Sequence, residues 1–200
     1  MRITLDPLST ALFAFVVLCW LSFAAAFAFK KSPPGGDAAS ERKRERASVF
    51  GIALQGAGYA VAWGFHRQYF TPPSASDALN VALAALAAAL AAFSVWFVVS
   101  AARTLGKQWS LAARVVEGHK LVTEGPYRVV RHPIYTGMLG MLLATCAATT
   151  IPAAVPFAIL VFLVGTLIRV RSEEKLLRET FGADFDDYSR RVRGFIPGML

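Results

Sequence analysis

From His132 to Ile168 the chain carries no lysine, arginine, aspartate or glutamate. As one helix this run would be about 55 Å long at 1.5 Å per residue. A bilayer core is about 30 Å thick and needs roughly 20 apolar residues. The run is too long for one crossing, and TTIP at 149–152 offers a break, because proline interrupts a helix and turns the chain. Two helices joined as a hairpin are therefore expected. Residues 8–29, 47–65 and 78–102 are similar uncharged stretches. Charged side chains gather instead in three blocks, 30–46, 103–131 and 169–193. With 56% hydrophobic residues and a mean hydropathy of +0.49, this pattern excludes an ordinary soluble domain. It predicts an all-α integral membrane protein with five transmembrane helices, the fourth and fifth forming the hairpin, in a single membrane domain over 1–200.

The first run is expected to be a span rather than a cleaved signal peptide, whose apolar core is about 7–15 residues long. Its stronger basic flank also follows it instead of preceding it. Lys30, Lys31, Arg42, Lys43, Arg44 and Arg46 lie in the first connector, whereas TPPSASD at 71–77 has no basic residue. The positive-inside rule then places the N-terminus outside and the C-terminus in the cytosol, with Arg2, His66 and Arg67 as exceptions. The net charge of +8 is explained by this bias and by attraction to membrane lipids, and requires no nucleic acid. Cys19 and Cys146 fall inside predicted spans as small apolar fillers. The spacing of His66, His119 and His132 matches no metal-ligand pattern.

The connector KKSPPGGDAASERKRER reads as a solvated loop. The segment 103–131 is different. Its ARVVEGHKLVTEG stretch suggests a small hairpin or extended loop around Glu117-Gly118, and long loops of this kind often carry function. Pro133 suits the first turn of the following helix. After Ile168, RVRSEEKLLRETF reads as a continuation of the last span into an amphipathic helix at the membrane surface, ending near Gly182. Tyr188, Val192, Phe195 and Ile196 are expected to dock the remainder.

Arg169 and Glu173, four apart, share a helix face. Arg169 either snorkels to the interface and pairs with Glu173, or forms an anion clamp beside a carboxylate. His132 either caps and anchors a helix or lines a site, and Tyr127 and Tyr135 fit an aromatic belt equally well. What favours a site is their grouping: HKLVTEGPYRVVRHPIY brings two histidines, two tyrosines and a turn to the side where Arg169 and Glu173 lie.

HKLVTEGPYRVVRHPIYTG, followed by RVRSEEKLLRETFGADFDDYSRRVRGFIP, resembles the isoprenylcysteine carboxyl methyltransferase family and the related membrane phospholipid methyltransferases. The likeness covers about the last 90 residues and rests on GPYRxxRHPxYxG, a double acid and FGxxxxxYxxRVxxFIP. The first 100 residues match only as membrane spans. The resemblance implies an S-adenosyl-L-methionine-dependent enzyme, with 103–200 as its catalytic and cofactor-binding part. In that part, a cytosolic loop and the C-terminal amphipathic helix would form the pocket. It implies that His119, Lys120, Leu121, Val122, Tyr127, His132, Pro133, Ile134, Tyr135 and Glu173 bind the cofactor, and that Arg169 faces the substrate as the catalytic residue. A glutamine that the family carries upstream of its HxLV motif has no clear counterpart, Gln108 and Arg114 being the nearest substitutes.

The chemistry suits these residue types. Methyl transfer from a sulfonium mainly requires alignment and exclusion of water. A carboxylate acceptor is already ionised, whereas a thiol or amine needs a base, for which His132 and Glu174 are the candidates. The expected partner is a lipophilic small-molecule or lipid-modified acceptor, most simply an isoprenylcysteine-like carboxylate. A phospholipid amine, a small thiol, and a sterol-type reductase using a nicotinamide cofactor are the alternatives. GAG at 56–58 lies within a span, and no strand–GxGxxG–helix unit points to a soluble nucleotide-binding fold.

Overall fold

The computed structural model describes residues 6–28, 46–67, 77–106 and 120–195. Among these it has six α-helices: α1 (Pro7–Ala28), α2 (Arg46–Gly64), α3 (Asp77–Leu105), α4 (Pro133–Thr149), α5 (Val155–Phe181) and α6 (Ala183–Arg191). The connectors at 29–45 and 68–76, and the extended loop expected around Glu117-Gly118, lie outside the described residues.

The expectation of five transmembrane helices is corrected. Among the described residues, three helices are long and apolar enough to cross a membrane: Pro7–Ala26, Asp77–Leu105 and Pro152–Phe181. At 17 residues α4 would be about 25 Å long, short of a bilayer core. Although α2 has 19 residues, Gln55 and four glycines dilute its apolar character. Of the two, α2 packs mainly along α5 and keeps Val49 and Phe50 exposed, whereas α4 is more deeply buried and packs mainly against α3. The chain is thus a multi-pass helical membrane protein. Its outward surface is apolar, as lipid contact requires, with Leu18, Leu21, Leu86, Trp96 and Leu160 exposed.

Local chemistry sets the helix ends. Asp6 caps α1 by accepting from the Ser9 backbone N–H at 3.0 Å, and Pro7 takes the first helical position, where no N–H is needed. Pro133 does the same for α4. The long run breaks where Thr150 turns extended and a short 3-10 turn, Pro152–Ala154, leads into α5. There is no break at Ile168: α5 continues past the apolar run to Phe181 and stops at Gly182, whose φ of +51° suits glycine.

Small residues decide how closely the bundle packs. A Cβ added to Gly51 would lie 2.7 Å from the Gly165 carbonyl, and one added to Gly165 would lie 2.7 Å from the Gly51 carbonyl. Only glycine permits that approach of α2 to α5, the usual device where helices meet in lipid. Two apolar clusters fill the interior. One joins Leu12 and Val16 to Ala87, Ala91, Met141 and Ala144; the other joins Ala62 to Leu142, Ala158 and Phe162. Trp20 Nε1 donates to Thr145 Oγ1 at 3.0 Å, linking α1 to α4.

Candidate active site

The GPYRVVRHPIYTG motif folds into a turn and a helix start. Gly125 has φ +57° and opens the 3-10 turn Gly125–Arg128. This turn buries Tyr127, while Arg128 stays exposed. Val130 then forms a parallel bridge with Arg193. The backbone N–H groups of Arg131 and His132 donate to the carbonyls of Arg193 (2.8 Å) and Gly194 (2.9 Å). Tyr188 Oη donates to the Tyr127 carbonyl at 2.7 Å. The C-terminal segment is thereby held against the motif, with Phe185, Tyr188 and Phe195 buried.

His132 occupies the N-cap position of α4 without capping it through its side chain. Its ring turns instead toward α5. Nε2 lies 3.1 Å from Glu174 Oε1 and Nδ1 lies 3.5 Å from Glu173 Oε2. Tyr135 stacks on His132 with ring centroids 5.7 Å apart and donates its hydroxyl to Glu173 Oε1. Arg169 reaches the same Glu173 oxygen at 3.5 Å, and its guanidinium sits 4.9 Å from the centre of the Tyr135 ring. Arg131 pairs with Glu174 through Nε (2.9 Å) and Nη2 (2.7 Å), and Nη1 donates to the carbonyls of Ser189 (3.0 Å) and Val192.

Two carboxylates thus share one histidine and two arginines. Arg169 and His132 are each only 6% exposed, so the cluster is shielded from water and its ion pairs are weakly screened. Burial alone would depress the His132 pKa, but its contacts with Glu173 and Glu174 outweigh that and raise it above the ordinary histidine value. The ring is therefore biased toward its protonated form. Burial, reinforced by the nearby Glu173 charge, pushes the Tyr127 hydroxyl well above its usual range. It pushes Tyr188 up to about 12. Both phenols stay neutral, and that of Tyr188 makes the hydrogen bond to the Tyr127 carbonyl.

Four of the expected residues, His132, Tyr135, Arg169 and Glu173, meet in direct contact. Tyr127 is buried beside them, and Pro133 and half-buried Ile134 begin the helix that carries Tyr135. Lys120 is exposed, and Leu121 and Val122 are half-buried on the irregular segment entering the Gly125 turn. His119, with the substitutes Gln108 and Arg114, lies outside the described residues. The sequence reading missed Gln55. This residue is 2% exposed and accepts from Arg169 Nη1 at 3.1 Å. The available signal was a glutamine standing alone in an uncharged stretch. It also missed Arg131 as the group that holds Glu174 and the C-terminal segment together.

The donor set suits the cofactor that the resemblance implies. The amino-acid end of S-adenosylmethionine bears a carboxylate, an ammonium and a sulfonium. Carboxylates and aromatic faces attract the cationic groups, and a guanidinium attracts an anion. Glu173 keeps 23% of its side chain accessible, so an incoming cation can reach it.

A profile of the phospholipid methyltransferase family matches residues 82–184. The chain belongs to this family. It is 35% identical over 97 residues to protein-S-isoprenylcysteine O-methyltransferase B of Arabidopsis thaliana, covering 47% of this chain and 49% of the relative. It is 34% identical over 104 residues to the cobalt-zinc-cadmium resistance protein CzcN of Cupriavidus metallidurans, covering 48% and 44%. It is 35% identical over 85 residues to methanethiol S-methyltransferase 2 of Bradyrhizobium diazoefficiens, covering 42% and 32%. At most, the chain spans about half the length of these curated relatives.

Proposed function

We propose that this phospholipid methyltransferase family member is a membrane methyltransferase. It takes its methyl group from S-adenosylmethionine and delivers it to a lipophilic acceptor, an isoprenylcysteine-like carboxylate before others. The observation that carries this reading is the buried cluster of His132, Tyr135, Arg169 and Glu173. It lies where the apolar run of α5 gives way to charged residues. A water-soluble donor and a membrane-soluble acceptor both reach such a boundary.

When bound, S-adenosylmethionine supplies an electrophilic methyl group on sulfur. The protein's part is to hold, orient and exclude water. Glu173 attracts the cationic end of the donor, and His132 and Tyr135 fix that carboxylate by hydrogen bonding to it. By the family resemblance, Tyr127, Pro133, Ile134, Leu121, Val122, His119 and Lys120 also serve the donor. Arg169 binds the acceptor carboxylate, which is ionised and needs no base. Residues 103–200 carry this work within the single membrane domain 1–200. The basic residues of 103–131 and 169–193 favour the cytosolic side for this end of the bundle.

A small thiol is the second acceptor reading, favoured by the likeness to a methanethiol S-methyltransferase. Against it, a thiol needs a base, and both candidates, His132 and Glu174, are already engaged with each other at 3.1 Å. Family membership also favours methyl transfer over nicotinamide-dependent reduction.

The test is to incubate purified protein in lipid vesicles with labelled S-adenosylmethionine and either N-acetyl-S-farnesylcysteine, a phospholipid amine or methanethiol. Base-labile label on the farnesylcysteine is the expected product. Label on the amine or thiol alone would overturn the carboxylate reading, and no transfer together with binding of a reduced nicotinamide cofactor would overturn methyl transfer itself.

A further inference from the structure

Gln55 lies on α2, remote in sequence from the GPYRVVRHPIYTG and C-terminal motifs, yet its side chain reaches Arg169 in the site. Its Nε2 donates to Thr166 Oγ1 at 2.9 Å and its Oε1 accepts from Arg169 Nη1 at 3.1 Å. The two bonds orient each other. An arginine can only donate, so the amide oxygen must face Arg169. Thr166 then takes the amide nitrogen and locks that orientation. Thr166 is fully buried and Gln55 is 2% exposed, so water does not compete for either bond.

One turn earlier on the same helix, α2 makes room for the arginine itself. A Cβ at Gly51 would lie 2.5 Å from Arg169 Cγ, so only glycine leaves space for the stem. Gly51 and Gln55, four apart, therefore present one face of α2 to Arg169. The guanidinium is held on three sides, by the Gln55 amide, the Tyr135 ring and Glu173. A buried glutamine is costly unless both ends of its amide are satisfied, and here both are.

We propose that Gln55 is the positioning residue of the Arg169 anion clamp and sets the site's preference for an acceptor that carries a carboxylate. The inference rests on the reading of Arg169 given above. Gln55 holds the guanidinium without adding a second negative charge to that of Glu173, which His132 and Tyr135 share, so the arginine keeps an attraction for an external anion. A glutamate there would hold it as well and cancel that attraction.

The test compares binding of N-acetyl-S-farnesylcysteine with binding of its uncharged carboxamide, by thermophoresis in detergent micelles. S-adenosylhomocysteine binding is followed by calorimetry. Wild-type protein is expected to prefer the carboxylate by about tenfold or more, the worth of a charge-assisted hydrogen bond. In Gln55→Glu the thermal midpoint is expected to hold, because a carboxylate accepts from both Arg169 and Thr166. The preference is expected to fall to about threefold or less, with S-adenosylhomocysteine affinity within about threefold of wild type. Gln55→Leu is expected to lose the preference too. Should Gln55→Leu fail to fold, Gln55→Glu decides alone. A retained carboxylate preference in folded Gln55→Glu would overturn the role of Gln55 while leaving the Arg169 reading intact. A wild-type protein that binds carboxylate and carboxamide equally would overturn both.

Discussion

At Arg169 two readings of one side chain meet. An arginine at the end of an apolar run snorkels by default, keeping its stem in lipid and its charge in water. Here the guanidinium is buried, 4.9 Å from the Tyr135 ring centre and bonded to Gln55, which is the opposite of snorkelling. Arg169→Ala is expected to lower turnover by about a hundredfold, the scale of a lost charge-assisted contact to a reacting group. S-adenosylhomocysteine affinity, measured by calorimetry, is expected to change far less, because Glu173 keeps His132 and Tyr135 as partners. His132 carries a pH signature. Its folded pKa is raised, so its contribution to stability is complete below the unfolded value of about 6.5 and is lost as pH rises through the folded value. The thermal midpoint in detergent is expected to decline over that window, and His132→Gln to flatten the decline.

At the scale of elements, the α2–α5 seam and the docking of α6 decide the site. In α5, Gly165 packs one turn from Arg169. A Cβ there would meet the Gly51 carbonyl, Leu54 Cβ and the Gln55 backbone N at 2.7, 2.8 and 2.9 Å. Gly165→Ala must therefore push backbone against backbone. A loss of about 1–3 kcal/mol is expected, read as a lower midpoint in detergent, with weakened acceptor binding because Gln55 moves with α2. The helix α6 is held by Tyr188 and Arg131. Tyr188→Phe leaves the buried Tyr127 carbonyl without that donor and is expected to cost about 1–3 kcal/mol. Faster proteolytic release of the tail after Gly182 would report it. The tail motif was legible as a docking surface because its aromatic residues stood among charges. That it closes by a backbone bridge to Val130 was not legible, since backbone pairing leaves no mark on side-chain identity.

At the scale of the whole molecule, three helices have the length and apolarity to cross a bilayer, while α2 and α4 pack against α5 and α3. The sequence expectation of five spans counted every uncharged run as a crossing. Absence of charge is a weaker criterion than sustained hydropathy and length: glycine and glutamine dilute α2, and α4 is apolar but short. For the proposed cytosolic site, one outcome follows. In vesicles with uniformly oriented protein, external S-adenosylmethionine is expected to support transfer only when the face bearing the basic residues of 169–193 is outward. Transfer from the opposite face alone would reverse the orientation.

Residue order by itself determined that this chain is helical and membrane-embedded, because charge-free runs bounded by charged blocks have no other stable home. It also marked RHPIY and the Glu173-Glu174 pair as members of one region, through side chains whose chemistry is costly to bury without partners. Only the tertiary structure decided which partners they take. Gln55 reaches Arg169 across 114 positions, and Arg131 reaches Ser189 across 58. The first pairing depends on how closely α2 and α5 approach, a distance set by Gly51 and Gly165, whose only sequence signal is the side chain they lack. The second depends on backbone pairing that side chains do not record.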